Sequence, residues 1–472
     1  MKRKNITLLS ILTFLLLWQV SATLAGNPLV FPTFTATAFR LFELCGQGGF
    51  WQSVFHSLLR VFAGFSISLL LGTVTGVLCG LFPGFKAFCA FPLALIRSVP
   101  AVSFILLAVF VFSSDFVPVF SAVLMAFPVM TSAISAGFGF TEEDKKLFFM
   151  AQVFRLTKMQ KIRFVLLPKL QDFAETGVFS TFGMTWKVVV AAEVLSIPKK
   201  ALGSVLQNAQ VQLESTTLLA ATIVLVALSF VFEKLLHKGF LCLFSALTSL
   251  STRNFFKKNR APLYRLPEKE NSSSVKIQNL TITKGEKTLF KNFSFEFEKN
   301  KVTAILAPSG SGKTTLLKCI ARTEKDVSFL FQEPRLLPSL SIYENVFLPL
   351  SNFFTPEKAR ELSEKYLKAT ELFESRNKKV QNLSGGEKQR VALARSFSFP
   401  SQILLLDEAF QSLDSKIKSS LEDTLKKLLA DSPRTVILVT HEKQEALDLA
   451  DVIVEMEGQP LKIKTLTKTT LP

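Results

Sequence analysis

The apolar residues of this chain crowd into its first half, before about Phe240, in runs each close to the ~20 residues a helix needs to cross hydrocarbon. A chain patterned in this way cannot hide its apolar surface in one water-soluble core. It predicts a membrane half followed by a soluble half. The runs are "MKRKNITLLSILTFLLLWQVSATLAG" at the start and then, roughly, Ser57–Leu81, Ala87–Phe112, Phe116–Phe140, Phe173–Leu195 and Thr217–Leu236. The first has the basic head, apolar stretch and small-residue tail of a cleavable secretion signal. Parity favours an uncleaved span: the basic head keeps the N-terminus inside, and six crossings return the chain to that side. Arg97 and Pro100 interrupt the third run, so a break is expected there, with Arg97 turned toward the protein interior or a pathway.

Charge fits this layout. The loop Thr141–Gln171 is rich in Lys and Arg and falls inside, while Ser113–Phe116 carries one acid and falls outside. The pair Lys199–Lys200 is an exception. Lys187 and Glu193 lie in an otherwise apolar stretch and are expected either to face the pathway or to form a structural ion pair. The net charge of +18 invites a nucleic-acid reading, but many basic residues flank apolar runs and no aromatic-basic RNA motif is present, so no nucleic-acid partner is expected. Five scattered Cys without a CxxC pair predict neither a disulfide framework nor a zinc site. After the last run, Gly239–Leu250 suggests an amphipathic helix on the inner membrane face. A basic, then Ser- and Pro-containing linker follows. The expected domains are a membrane-spanning 1–250, a linker 251–274 and a soluble domain 275–472.

The soluble half opens its chemistry with "KVTAILAPSGSGKTTLLKCIAR", a buried strand, a loop and a helix. Backbone N–H groups of Ala307, Pro308–Gly312 and the helix start suit phosphate oxygens (Pro308 excepted, which has no N–H), with Ser309, Gly310, Ser311 and Thr315 in the same cradle. Lys313 would reach the β- and γ-phosphates, and the Thr314 hydroxyl would bind Mg²⁺. The full pattern wants Gly where Ala307 stands, a change tolerated if φ there is negative. In "ILLLDEAF", Asp407 at a strand end would hold Mg²⁺ and Glu408 would polarise the attacking water. His441, closing "VILVTH", is placed to contact the γ-phosphate. "LSGGEKQR" supplies a second anion-binding helix start at Ser384, Gly385, Gly386 and Glu387. One nucleotide does not need two such cradles from one chain, whereas two chains arranged head to tail do.

At these residues the half from about Val275 resembles the ATPase domain of ATP-binding-cassette (ABC) proteins. "LSGGEKQR" is that family's signature, and the resemblance identifies Gln332 with the Q-loop, where it touches Mg²⁺, Asp414 with the D-loop and His441 with the switch histidine. The stretches "LIRSVPAVSFILLAVFVF" and "TFGMTWKVVVAAEVL" resemble permeases of bacterial importers for nitrate, sulfonates and taurine, and relatives that serve thiamine-precursor and riboflavin uptake. The resemblance implies that about Phe149–Lys158, ahead of Leu167–Pro168, docks on the ATPase near the Q-loop. Three departures stand out. The coupling loop's Glu-Ala-Ala reads "FMA" with its Gly at Arg155, the family's adenine-stacking aromatic is replaced near Lys284, which cannot stack the same way, and the stretch from Lys313 to Gln332 is short. With Ala307 they leave ATP-versus-GTP preference open.

The expected fold is a membrane all-α permease of six transmembrane helices fused to an α/β P-loop ATPase of ABC type. The expected function is ATP- and Mg²⁺-dependent import of a small solute across the cell (inner) membrane, with the ATPase on the cytoplasmic side. The chain would work as a homodimer in the lipid bilayer, supplied by an extracytoplasmic solute-binding protein. The alternatives are an exporter, or a membrane-anchored regulatory ATPase that moves no solute.

Overall fold

The structure, a computed structural model, describes residues 2–27, 29–257, 262–264, 274–284, 287–324, 326–410 and 415–469. It divides into two compact units, one of Met1–Gly139 with Lys169–Asn254 and the other of Phe140–Pro168 with Phe255–Pro472. The helices are α1 (Lys2–Ala25), α2 (Phe34–Cys45), α3 (Gly48–Leu81), α4 (Pro83–Ser98), α5 (Ala101–Val111), α6 (Val117–Gly137), α7 (Glu142–Val153), α8 (Lys158–Lys161), α9 (Leu167–Ser196), α10 (Leu202–Val211) and α11 (Ser215–Lys257). In the second unit follow α12 (Lys313–Thr323), α13 (Ile342–Leu350), α14 (Pro356–Ala369), α15 (Gly385–Ser398), α16 (Ser415–Asp431) and α17 (Lys443–Leu449). Its strands are β1 (Val275–Lys284), β2 (Lys287–Phe297), β3 (Val302–Leu306), β4 (Val327–Leu330), β5 (Ile403–Asp407), β6 (Thr435–Thr440), β7 (Val452–Glu457) and β8 (Lys462–Lys468).

Among the described residues of the first unit, α3, α6, α9 and the Ser215–Phe244 part of α11 are long and apolar enough to cross a membrane. The pair α4 and α5 is long and apolar enough only when taken together, and it is bent by 94° at the break beside Arg97 and Pro100, the form of a broken span or a re-entrant loop. The first apolar run is α1, whose apolar part Leu12–Ala25 is shorter than these spans. Two sequence expectations shift. The second crossing starts at Gly48, ahead of Ser57, and Gly239–Leu250 is no separate helix but continues α11.

A stripe of small residues at every fourth position lets α3 and α6 meet. Gly64, Ser68, Gly72, Gly76 and Gly80 fall on one face of α3. A β-carbon at Gly72 would stand 2.5 Å from Met130 Cβ, and one at Gly76 would stand 2.7 Å from Ile134 Cβ and 2.9 Å from the Thr131 carbonyl. Between apolar helices in lipid, where water expulsion gives no drive, this backbone approach supplies the packing. The same unit neutralises its buried ions internally. The Glu193 carboxylate is wholly buried and accepts hydrogen bonds from Ser57 Oγ (2.9 and 2.7 Å), Arg60 Nη1 (2.8 Å) and the Gly203 amide (3.1 Å). Arg60 also donates to Asp115 (2.5 Å) and to the Lys200 carbonyl (3.0 Å). The ion pair anticipated around Glu193 is therefore made with Arg60 of α3, while Lys187 is exposed.

In the second unit, β4-β5-β6-β3-β7-β8 form one sheet, parallel but for β8, and β1 with β2 forms a separate antiparallel ribbon. The apolar runs "ILLLD" and "TVILVT" are buried at every position, as strands covered on both faces must be. Register aligns the strand ends. Leu306 pairs with Thr440, and Asp407 with Val439, so β3, β5 and β6 end level at their carboxyl edge.

The glycine stripe yields a direct test. Gly76→Leu should lower stability by about 3 kcal/mol or more, because a carbonyl and a packed Cβ block the side chain. Gly84→Leu, with nothing within 4 Å of its β-carbon, should change it by less than about 0.5 kcal/mol. Thermal unfolding of both variants in detergent checks the contrast.

Candidate functional site

Four of the connections at the carboxyl edge of the parallel sheet, those after β3, β4, β5 and β6, gather at the place where open α/β sheets receive ligands. The loop after β3 runs to Gly312, and α12 begins at Lys313. Gly310 and Gly312 have φ of 76° and 108°, a left-handed backbone that side chains resist. Ala307 is not among the residues with positive φ, so its methyl group is accommodated. Pro308, Ser309 and Gly310 are exposed, and the Ser311 hydroxyl is buried without a hydrogen-bond partner among the described residues. An orphaned hydroxyl in a glycine-containing loop at a helix start is what a phosphate group would satisfy.

Lys313 is buried and folds back over the loop, its Nζ donating to the carbonyls of Ala307 (2.6 Å) and Pro308 (2.9 Å). Burial lowers its pKa from the usual lysine range, opposed by Glu408. Thr314 Oγ1 donates to Asp407 Oδ1 at 2.9 Å. Burial raises the Asp407 pKa above the usual carboxylate range. A buried carboxylate and a hydroxyl, both hard oxygen donors, fit Mg²⁺, which takes few protein ligands and completes its shell with water and phosphate.

Glu408 is the centre of this edge. Its φ is 45°, strained for a side-chain-bearing residue, and its amide is fixed to the Val439 carbonyl at 2.9 Å. The carboxylate thereby gathers three residues: Gln332 Nε2 at 3.1 Å, Lys313 Nζ at 3.7 Å and His441 Nδ1 at 3.7 Å. Gln332 follows β4 closely enough to reach it, and His441 follows β6 directly.

Ser384 caps α15. Its hydroxyl accepts from the Glu387 amide and the Glu387 carboxylate accepts from the Ser384 amide, a capping box that lowers the Glu387 pKa. A β-carbon at Gly385 would meet nothing within 4 Å, and Gly386 is buried. Gln389 ties the same helix to the loop after β5 by donating to the Ala409 carbonyl at 2.6 Å. Asp414 lies outside the described residues, as does the side chain of Lys284.

The segment Phe140–Pro168 packs with this unit. The stretch Phe149–Lys158 is not one helix but the end of α7, a turn and the start of α8. Phe149 packs edge-on against Phe329 and Phe331, just ahead of Gln332, and Lys146 pairs with Glu333 at 2.6 Å. Gln160 and Asn352 exchange side-chain amide hydrogen bonds at 2.8 and 3.0 Å. Arg155 adopts φ of 50° at the position where Gly was expected, with its guanidinium on Asp326 at 2.9 Å. Sequence reasoning missed the contact that reaches farthest. Arg395, near the end of α15, lies buried with its guanidinium 4.7 Å over the Phe154 ring, and Phe154 also packs against Phe399. Burial pulls the Arg395 pKa down to about 9, and one donor reaches the Arg335 carbonyl at 2.7 Å. An arginine late in a charged helix reads from sequence as a surface residue, so nothing local flagged it.

With this geometry in place, comparison with known proteins is informative. Residues 290–411 match the family described as ABC transporter. The chain is 37% identical over 215 residues to the sulfate/thiosulfate import ATP-binding protein CysA of Mannheimia succiniciproducens, covering 39% of this chain and 60% of that protein. It is 31% identical over 217 residues to the spermidine/putrescine import ATP-binding protein PotA of Acetivibrio thermocellus, covering 41% and 62%. It is also 31% identical over 219 residues to the Fe(3+) ions import ATP-binding protein FbpC of Vibrio cholerae, covering 42% and 62%. The chain thus spans about three-fifths of the length of these relatives. A solved dimer of the ATP-binding cassette MJ0796 bound to ADP and Pi is 29% identical, covers 41% of this chain and 97% of that one, and superposes with a TM-score of 0.37. The second unit carries an α/β ATPase domain of the ABC type, joined in one chain to a helical unit of apolar spans.

Behind the His441 loop sits an acid whose titration is measurable. Glu445 is buried, accepts from Thr440 Oγ1 at 3.0 Å and lies 3.7 Å from Lys418. Burial pushes its pKa from 4.5 up to about 6. An acid whose folded pKa is raised holds its proton more tightly in the folded state. Its contribution to stability is therefore lost as pH rises from 4.5 through 6, by about 2 kcal/mol in all. Glu445→Gln, always neutral and still able to accept from Thr440, should gain stability over the parent at pH 7.5 and show little gain at pH 4.5. Thermal unfolding at the two pH values checks this, and an equal effect at both would contradict it.

Proposed function

We propose that this chain is the fused permease and ATPase subunit of an ATP-driven importer of a small solute in the cytoplasmic membrane. The observation that carries the reading is the convergence of Gln332, Lys313 and His441 on Glu408 in the same compact unit as Phe140–Pro168. A hydrolytic centre joined to a segment that runs directly into apolar spans is built to move those spans.

In the proposed cycle two chains pair head to tail. Each ATP lies between the loop Ala307–Thr315 of one chain and Ser384–Glu387 of its partner, with Asp414 at the same junction. Lys313 holds the β- and γ-phosphates, and the loop amides and Ser311 hold their oxygens. Thr314, Asp407 and Gln332 would hold Mg²⁺, which supplies positive charge to the phosphate oxygens when bound. Glu408 accepts a proton from water as that oxygen attacks the γ-phosphorus in line. The bond to the bridging oxygen breaks, ADP leaves with the electron pair, and His441 stays on the γ-phosphoryl oxygens. Hydrolysis reopens the pair. The energy source is the greater affinity of ATP for the closed pair than for the open one.

The contacts of Phe140–Pro168 support the transmission of this motion. They join the Gln332 neighbourhood at Phe331 and Glu333 to the far end of the signature helix at Arg395. Import is favoured by the importer names of the relatives, and an extracytoplasmic solute-binding protein is the proposed source of solute. The resemblance of the spans to nitrate, sulfonate and taurine permeases sets the proposed solute class.

Glu408→Gln should lower ATP turnover of the full chain in lipid by about 10³-fold. Nucleotide binding should stay within about threefold. Turnover unchanged by this substitution would remove Glu408 as the base.

A further inference from the structure

A cleft of about 310 Å³ opens in the first unit between α4 and α6. It is lined along α4 by Lys86, Ala90, Leu93, Ala94 and Arg97, one face of that helix, and across from them by the hydroxyl-bearing Thr131, Ser132 and Ser135. Its size is that of a small-molecule site. Two cations line it, and no carboxylate does. This contrasts with two other arginines of the unit, where Arg60 meets Glu193 and Asp115, and Arg40 meets Glu43 and Glu214.

Arg97 is exposed to the cleft at the end of α4, just before the 94° break. One donor, Nη2, is used on the Pro128 carbonyl at 2.9 Å, and that contact holds the guanidinium against α6. Its remaining N–H groups have no acceptor among the described residues. An arginine in an apolar span is costly unless something carries the opposite charge. Among the described residues no carboxylate supplies that charge to Arg97.

We propose that this cleft is a binding site for a small oxyanion, held by Arg97 as a fork and by the hydroxyls of α6, with Lys86 drawing it in. The inference rests on the reading that the first unit carries a solute pathway, and it assigns named residues to hold a negatively charged oxygen group there. A lipid headgroup offers the same chemistry, so the test separates the two sources.

In a full-length chain with its five native Cys replaced by Ala, a single cysteine at Ala94 would report on the cleft. Modification by the anionic reagent 2-sulfonatoethyl methanethiosulfonate is compared with that by its trimethylammonium counterpart, in discs of zwitterionic lipid. The anionic reagent should react faster by about tenfold or more after correction for their rates with free thiol, as expected near uncompensated positive charge. Arg97→Gln should abolish the preference and Arg97→Lys should keep it. Equal rates for the two reagents, or a preference that survives Arg97→Gln, would overturn the proposal. Slowing by millimolar methanesulfonate in zwitterionic discs marks a soluble ligand. Slowing only when phosphatidylglycerol is added marks a lipid headgroup. ATP turnover of the same proteins is measured in parallel, so loss of the transport reading and loss of the anion site are seen separately.

Discussion

Three parallel strands that stop level with one another set the chemistry of the second unit. Because Leu306 pairs with Thr440 and Asp407 with Val439, the residues just beyond each end come within a few ångströms of one another. Glu408 takes a left-handed backbone at that edge and is fixed there by the Val439 carbonyl. The strain of such a residue, about 1–3 kcal/mol, is held by the surrounding sheet. Shift β5 by a single residue and Glu408 would lose Gln332, Lys313 and His441 together, since each comes from a different neighbouring strand end.

Much of this edge was legible in the sequence because it is written in short, contiguous patterns. A buried apolar run followed by a glycine-rich loop and Gly-Lys-Thr fixes strand, loop and helix in one stretch, and "ILLLDE" places two acids at a strand end. Arg97 and Pro100 announced the break between α4 and α5 in the same local way. What stayed hidden depends on residues far apart in the chain. Glu193 was visible as a buried acid, but its partner Arg60 lies 133 positions earlier, and Lys187 was the nearer candidate. The stacking of Arg395 on Phe154 joins two helices that no local pattern connects. Arg155 shows a third case, since a residue that should be Gly takes the left-handed conformation anyway, held by Asp326 and Asn352.

The two units solve opposite problems with charge. In the helical unit, Arg60 and Glu193 neutralise each other inside a packing that relies on close backbone approach between α3 and α6. In the ATPase unit, Lys313, His441 and Gln332 converge on the Glu408 carboxylate, and beside them the buried Ser311 hydroxyl, without a partner among the described residues, is one that a nucleotide's phosphate would satisfy. The signature helix α15 connects these scales. It is tied at Gln389 to the loop after β5, and at Arg395 to the segment that runs into the apolar spans.

The central claim is that two chains close on nucleotide head to tail. Cysteines at Ser309 and Ser384, in a chain free of its native Cys and carrying Glu408→Gln, measure this directly in lipid discs. The account predicts disulfide-linked dimers that form with ATP and Mg²⁺ and fade when nucleotide is withheld. Vigorous ATP turnover by the otherwise unaltered chain with no such link between protomers under any nucleotide condition would contradict it.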